Sequence, residues 1–111
     1  MESSEKPINA PVDDEGYLVD PGDWDESVAE QLAQREGLVL HQEHWDVIRF
    51  MRHFFEEHQV VPDARFVIRH MASSGLGANA RSRLFEIFPY GYVKQACKIA
   101  GMRRPRGWST G

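Results

Sequence analysis

The chain has 111 residues, 41% hydrophobic and 27% charged, which is enough for a single soluble globular domain with its own core. Apolar runs of only a few residues exclude a membrane span, and one cysteine excludes an internal disulfide or a cysteine-based zinc site; with an acidic start unlike a signal peptide, a reducing cytoplasm is the expected compartment. The net charge of −4 divides unevenly: residues 1–36 carry eleven acids against two bases, and residues 63–111 carry nine bases against two acids, so either an acidic partner is steered to the second half or the two ends neutralise each other.

Residues 1–11, polar and punctuated by proline, predict a disordered N-terminal arm. The stretch DDEGYLVD predicts a small β element, with a turn at Gly16 between residues that flank Tyr17 and Val19. Pro21 and Gly22 break the chain. Asp23 then serves as the cap of a first helix, with Glu26 three residues on completing a capping box. Val28, Ala29, Leu32 and Ala33 give that helix a narrow apolar stripe, and Gly37 ends it. LVLHQEHW returns briefly to an extended pattern.

The longest helix is predicted over about residues 42–58. Val47, Phe50, Met51, Phe54 and His58 fall on one face, widened by Trp45, Ile48 and Phe55. Pro62 suits the first turn of a third helix, which carries Phe66, Val67, His70 and Met71 and stops at Ser73-Ser74-Gly75. GLGAN is a tight connection. A fourth helix, Arg81 to Phe88, packs Leu84, Phe85, Ile87 and Phe88. A fifth, about Tyr92 to Ala100, places Val93, Ala96, Cys97 and Ala100 on its apolar face, and Gly101 closes it. The fold class is therefore mainly α with a minor β part: a five-helix orthogonal bundle over residues 12–101, followed by a flexible C-terminal arm, residues 102–111.

Few constellations suggest chemistry. The five histidines include His41 and His44 at helical spacing, but there is no HExxH and no clustered set of three ligands, so no metal site is expected. SGLGAN lacks the lysine and the strand-to-helix context of a phosphate loop, and no cofactor is expected either. Two short helices joined by glycines, bearing Arg65, Arg69, Arg81 and Arg83, outline a helix-turn-helix that would bind DNA. Against this, the second helix commits most of its side chains to packing. Cys97 has two readings. It lies on the apolar face, as an inert packed cysteine does, yet Lys94 and Lys98 flank it and Arg103, Arg104 and Arg106 follow, and positive neighbours favour a reactive thiolate.

The segments DDEGYL with DW shortly after, EHWDVIRFMRHFFEEHQVVP, LFEIFPYG and KQACKIAGMRRPRG together strongly resemble the DsrC/TusE family of small sulfur-relay proteins, which includes the gamma subunit of dissimilatory sulfite reductase. The likeness runs collinearly from about Val12 to Gly107. It implies a helical bundle with a small β element and a C-terminal arm that ends in a penultimate cysteine carrying persulfide sulfur. TusE-like members take sulfur from a carrier complex and pass it toward the 2-thiouridine of tRNA. DsrC-like members add a second cysteine in the KQAC motif, able to pair with the arm cysteine or to form a trisulfide with sulfite reductase.

On that pattern Cys97 is the KQAC cysteine, and the arm cysteine would fall eleven positions later, where this chain has Trp108, followed by Ser109, Thr110 and Gly111. The resemblance thus identifies a divergent member that lacks the carrier thiol. The expectation is an accessory or regulatory protein of sulfur relay or sulfur oxidation without sulfurtransferase activity of its own; whether it is an enzyme stays open, since the family is sulfurtransferase-like while the carrier cysteine is absent. Its partners are expected to be proteins such as a sulfite reductase or a sulfur-carrier complex, with no membrane, and its oligomeric state is open. Lys94, Lys98, Arg103, Arg104, Arg106 and Trp108 are the candidate partner-binding residues. The alternatives are a one-cysteine persulfide carrier acting through Cys97 and a DNA-binding regulator.

Overall fold

The turn at Gly16 forms, but without strands on either side of it. The computed structural model of the protein describes residues 11–103, so the predicted N-terminal arm, except Pro11, and the predicted C-terminal arm beyond Arg103 lie outside the described residues. Asp13 makes the turn. Its side chain accepts the N–H groups of Glu15 and Tyr17, both at 2.9 Å, and Gly16, at φ 90°, donates to the Asp13 carbonyl. The pairing stops at one antiparallel bridge, Val12 with Leu18, and no strand occurs among the described residues. The expected β element is reduced to that bridge because the chain turns away into a 3-10 turn, Pro21–Asp23, before a ladder can extend.

That turn also moves the first helix. Asp23 is taken up within it, its N–H bonded to the Asp20 carbonyl, so it does not cap. The cap is Asp25, which accepts the Val28 N–H at 2.9 Å, and α1 spans Glu26–Arg35. All four residues of the predicted stripe are buried. Helix α2 (Gln42–His58) buries His44, Val47, Ile48 and Met51. Its predicted face rotates away from the core toward the C-terminal end: Phe50, Phe54 and Phe55 are half-buried and His58 is exposed. Helix α3 (Ala64–Met71) begins after Asp63, whose carboxylate accepts the Arg65 N–H, so Pro62 precedes the cap instead of sitting in the first turn. The glycine-rich connection is a π-helical turn, Ala72–Leu76, and a 3-10 turn, Gly77–Asn79, that lead into α4 (Ala80–Ile87). On α4, Leu84 and Ile87 are buried, while Phe85 is 40% exposed and does not pack inward as predicted.

Among the described residues there are therefore four α-helices and not five. The last helical segment among the described residues, Tyr92–Cys97, is π-helical, and all of it but Lys94 is buried. Ala96, Cys97, Ile99, Ala100 and Met102 are all fully buried against residues of α1 to α4 and Leu18. At about 1.5–3 kcal/mol for each large apolar side chain removed from water, this segment holds the fold together as much as any of the α-helices. No helix among the described residues is long and apolar enough to cross a membrane.

Candidate functional site: the thiol and the root of the arm

Cys97 ends the π-helical segment with its side chain wholly out of solvent. Burial in apolar surroundings pushes its thiol up to about 12, against the smaller opposing pull of the neighbouring Tyr92 hydroxyl. Tyr92 is itself buried. Its hydroxyl donates to the Pro62 carbonyl, and burial holds its pKa well above the usual phenol range.

The flanking lysines place their charges away from the thiol, on which burial is the main influence. Lys94 points outward and is exposed. The Lys98 ammonium pairs with Glu36 at 3.2 Å and lies 5.2 Å from the centre of the Tyr17 ring. The Tyr17 hydroxyl in turn donates to the Val93 carbonyl at 3.0 Å. These residues, with Glu15 and Tyr90, line a surface cleft of about 350 Å³ that does not reach Cys97. Gln95 is buried beside them. Its carbonyl accepts the Tyr90 N–H at 3.0 Å, and its amide nitrogen has no partner.

Immediately after Cys97 the chain closes on a left-handed glycine. Gly101, at φ 78°, donates to the Lys98 carbonyl, and Met102 donates to the Cys97 carbonyl at 2.9 Å, the double bond pattern of a Schellman cap. Trp24 and Arg52 close over this turn. The indole N–H donates to the Ile99 carbonyl at 2.9 Å, and Arg52 donates to the carbonyls of Ala100 and Pro21 at 3.1 and 3.0 Å. The guanidinium also sits 4.5 Å from the Trp24 ring centre. Sequence reasoning missed both residues. Arg52 reads as a solvated cation at the margin of an apolar stripe, and nothing local marks it as a ligand of a distant carbonyl. Trp24 was visible only as part of the DW pair.

Of the partner-binding candidates, Arg103 is exposed at the edge of this turn, and Arg104, Arg106 and Trp108 lie outside the described residues. The four arginines of the nucleic-acid candidate do not form one free surface. Arg83 grips both carboxylate oxygens of Glu43 and also bonds Glu86, Arg65 pairs with the capping Asp63, and Arg69 lies over the Phe66 ring. Only Arg81 among them is exposed with no such partner. His41 and His44 do meet, through a backbone bond: His44 Nδ1 accepts the His41 N–H at 2.9 Å, and Nε2 donates to the Ile87 carbonyl at 2.8 Å. No group of three or more potential metal ligands converges among the described residues.

Known proteins resemble this chain in sequence and fold. The family model for DsrC-like protein matches residues 5–108. The sulfurtransferase TusE of Pectobacterium atrosepticum is 42% identical over 95 residues, covering 85% of this chain and 87% of the relative. The oxidized gamma subunit of dissimilatory sulfite reductase (DsrC) from Archaeoglobus fulgidus superposes with a TM-score of 0.81 at 32% identity, covering 90% of this chain and 92% of the other. The Allochromatium vinosum DsrC structure gives 0.78 at 39% identity, with 90% of each chain covered.

Proposed function

This chain belongs to the DsrC-like family, and from that premise we propose that it is a sulfur-relay protein that docks on the pathway's machinery without carrying sulfur itself. One observation carries the reading: the single thiol left to the chain is sealed in the core. A persulfide forms when a thiolate attacks a donor sulfur. Burial pushes the Cys97 thiol up to about 12, so the protonated form prevails at neutral pH, and its side chain has no solvent-exposed surface. At the arm position where the family carries sulfur stands Trp108, whose indole offers no sulfur nucleophile.

What remains is an arm able to bind. In sequence Arg103, Arg104 and Arg106 precede Trp108, and arginine and tryptophan are the residue types that dominate binding energy at protein interfaces. The partner is a protein of the relay, a sulfite reductase or a sulfur-carrier complex, and the role is accessory or regulatory. Incubation with a persulfide donor followed by intact-mass measurement tests this. The expected spectrum shows the unmodified chain under native conditions and sulfur on Cys97 only after denaturation. Rapid stoichiometric loading of the native protein would overturn the reading in favour of a one-cysteine carrier.

A further inference from the structure

A helix end leaves its last carbonyls without partners inside the helix, and water usually takes them. Here each of the four final carbonyls is taken by the protein. Those of Cys97 and Lys98 receive the N–H groups of Met102 and Gly101. Those of Ile99 and Ala100 receive Trp24 Nε1 and Arg52 Nη1, donors from the loop before α1 and from the middle of α2. Gly101 completes the grip, because a Cβ there would lie 2.4 Å from Trp24 Cδ1. The indole thus rests on the backbone of the residue where the chain turns outward.

Arg52 is unusual in what it binds. Among the described residues no carboxylate lies within ion-pair distance of its half-buried guanidinium, though the Glu56 carboxylate acts on it from one turn further along α2; its direct contacts are two carbonyls and an aromatic face. A cation against the carbonyl end of a helix is favourable through the helix dipole, and the planar fork reaches two carbonyls from separate segments at once. A lysine could do neither the forked bonding nor the stacking.

We infer that Trp24 and Arg52 are positioning residues that set where, and in which direction, the carboxy-terminal arm leaves the body. Met102, predicted as the start of the arm, is fully buried, and the inference rests on the reading of the residues from Arg103 onward as the docking arm; its test uses neither partner nor sulfur, so the two readings fail separately. In the full chain, amide hydrogen exchange is compared among wild type, Arg52→Ala, Arg52→Lys and Trp24→Phe. Arg52→Ala accelerates exchange at Gly101 and Met102 by at least about tenfold while Met51 and Leu84 keep their protection, as local opening does. Arg52→Lys behaves as Arg52→Ala, and Trp24→Phe, which keeps a ring and loses the Nε1 bond, falls between. Nitroxides at Ser27→Cys and Arg103→Cys give a single narrow distance distribution that broadens when Arg52→Ala is added. Uniform acceleration along the chain, wild-type protection in Arg52→Lys, or an unchanged distance distribution would each overturn the assignment.

Discussion

Two glycines make a controlled pair. Gly37 and Gly101 occupy equivalent places in two Schellman caps, at φ 72° and 78°, with the following residues Leu38 and Met102 bonded back to the carbonyls of Ala33 and Cys97. Alanine at either must adopt a left-handed conformation, which costs about 1–2 kcal/mol. Their surroundings differ. A Cβ on Gly37 meets nothing within 4 Å, whereas one on Gly101 lies 2.4–2.8 Å from three atoms of Trp24. The indole must shift, and the shift breaks its bond to the Ile99 carbonyl, worth about 1 kcal/mol, and displaces the ring from Arg52, worth about another 1 kcal/mol. Gly37→Ala should therefore cost about 1–2 kcal/mol and Gly101→Ala about 3–4 kcal/mol, a large share of the stability of a small domain. Urea unfolding with matched m-values measures both. Equal losses at the two sites would refute the reasoning, because they would mean the indole yields at no cost.

The pH dependence should follow His44. Burial, outweighing the hydrogen bond to Ile87, holds its pKa below the ordinary 6.5, so the fold prefers the neutral ring; stability is full above about pH 6.5 and declines as the pH falls below it. His41, Glu43 and Arg83 are the charged groups whose fields reach this ring. Comparing urea midpoints at pH 7.5 and 5.5 should show the loss in the wild type and a flatter profile in His44→Gln; parallel profiles would remove His44 as the cause. Cys97 should resist a thiol reagent in the native protein at pH 7 and react fully in denaturant, and fast native labelling would show that the burial described here does not persist in solution. Tyr92→Phe leaves the Pro62 carbonyl buried without its donor and should cost about 1–2 kcal/mol in the same unfolding assay; a neutral result would mean another group satisfies that carbonyl. DNA titrations should show weak binding without sequence preference, since three of the four candidate arginines are engaged within the protein; a tight, sequence-selective complex would restore the helix-turn-helix reading.

Much of this protein was legible from residue spacing. The stripe Val28, Ala29, Leu32, Ala33 is buried as the helical period requires, whereas around Cys97 the off-face residues Tyr92, Gln95 and Ile99 are buried along with the predicted Val93, Ala96, Cys97 and Ala100, so there the period selects no single side. The motifs around KQAC and LFEIFPYG placed the chain in its family, and the replacement at Trp108 is a property of the sequence alone. Patterns at the ends of elements were less informative. Asp23 and Asp25 are both good caps, and only the Pro21–Asp23 turn decided between them.

The state of Cys97 was undecidable from its neighbours in sequence. Lys94 stands three residues before it and Lys98 directly after, but whether they activate the thiol depends on where their charges go in space. The fold sends one into solvent and the other to Glu36, and it buries the sulfur beneath residues from four other elements. The grip of Trp24 and Arg52 on the arm root was equally hidden, since it joins segments about 75 and 48 residues apart. Local sequence determined four of the helices, the family and the presence of tryptophan at position 108, because these depend on period and identity. Tertiary structure alone decided the burial of the one thiol and the bonding of Trp24 and Arg52 to the turn at Gly101, because desolvation and long-range hydrogen bonding exist only once distant segments meet.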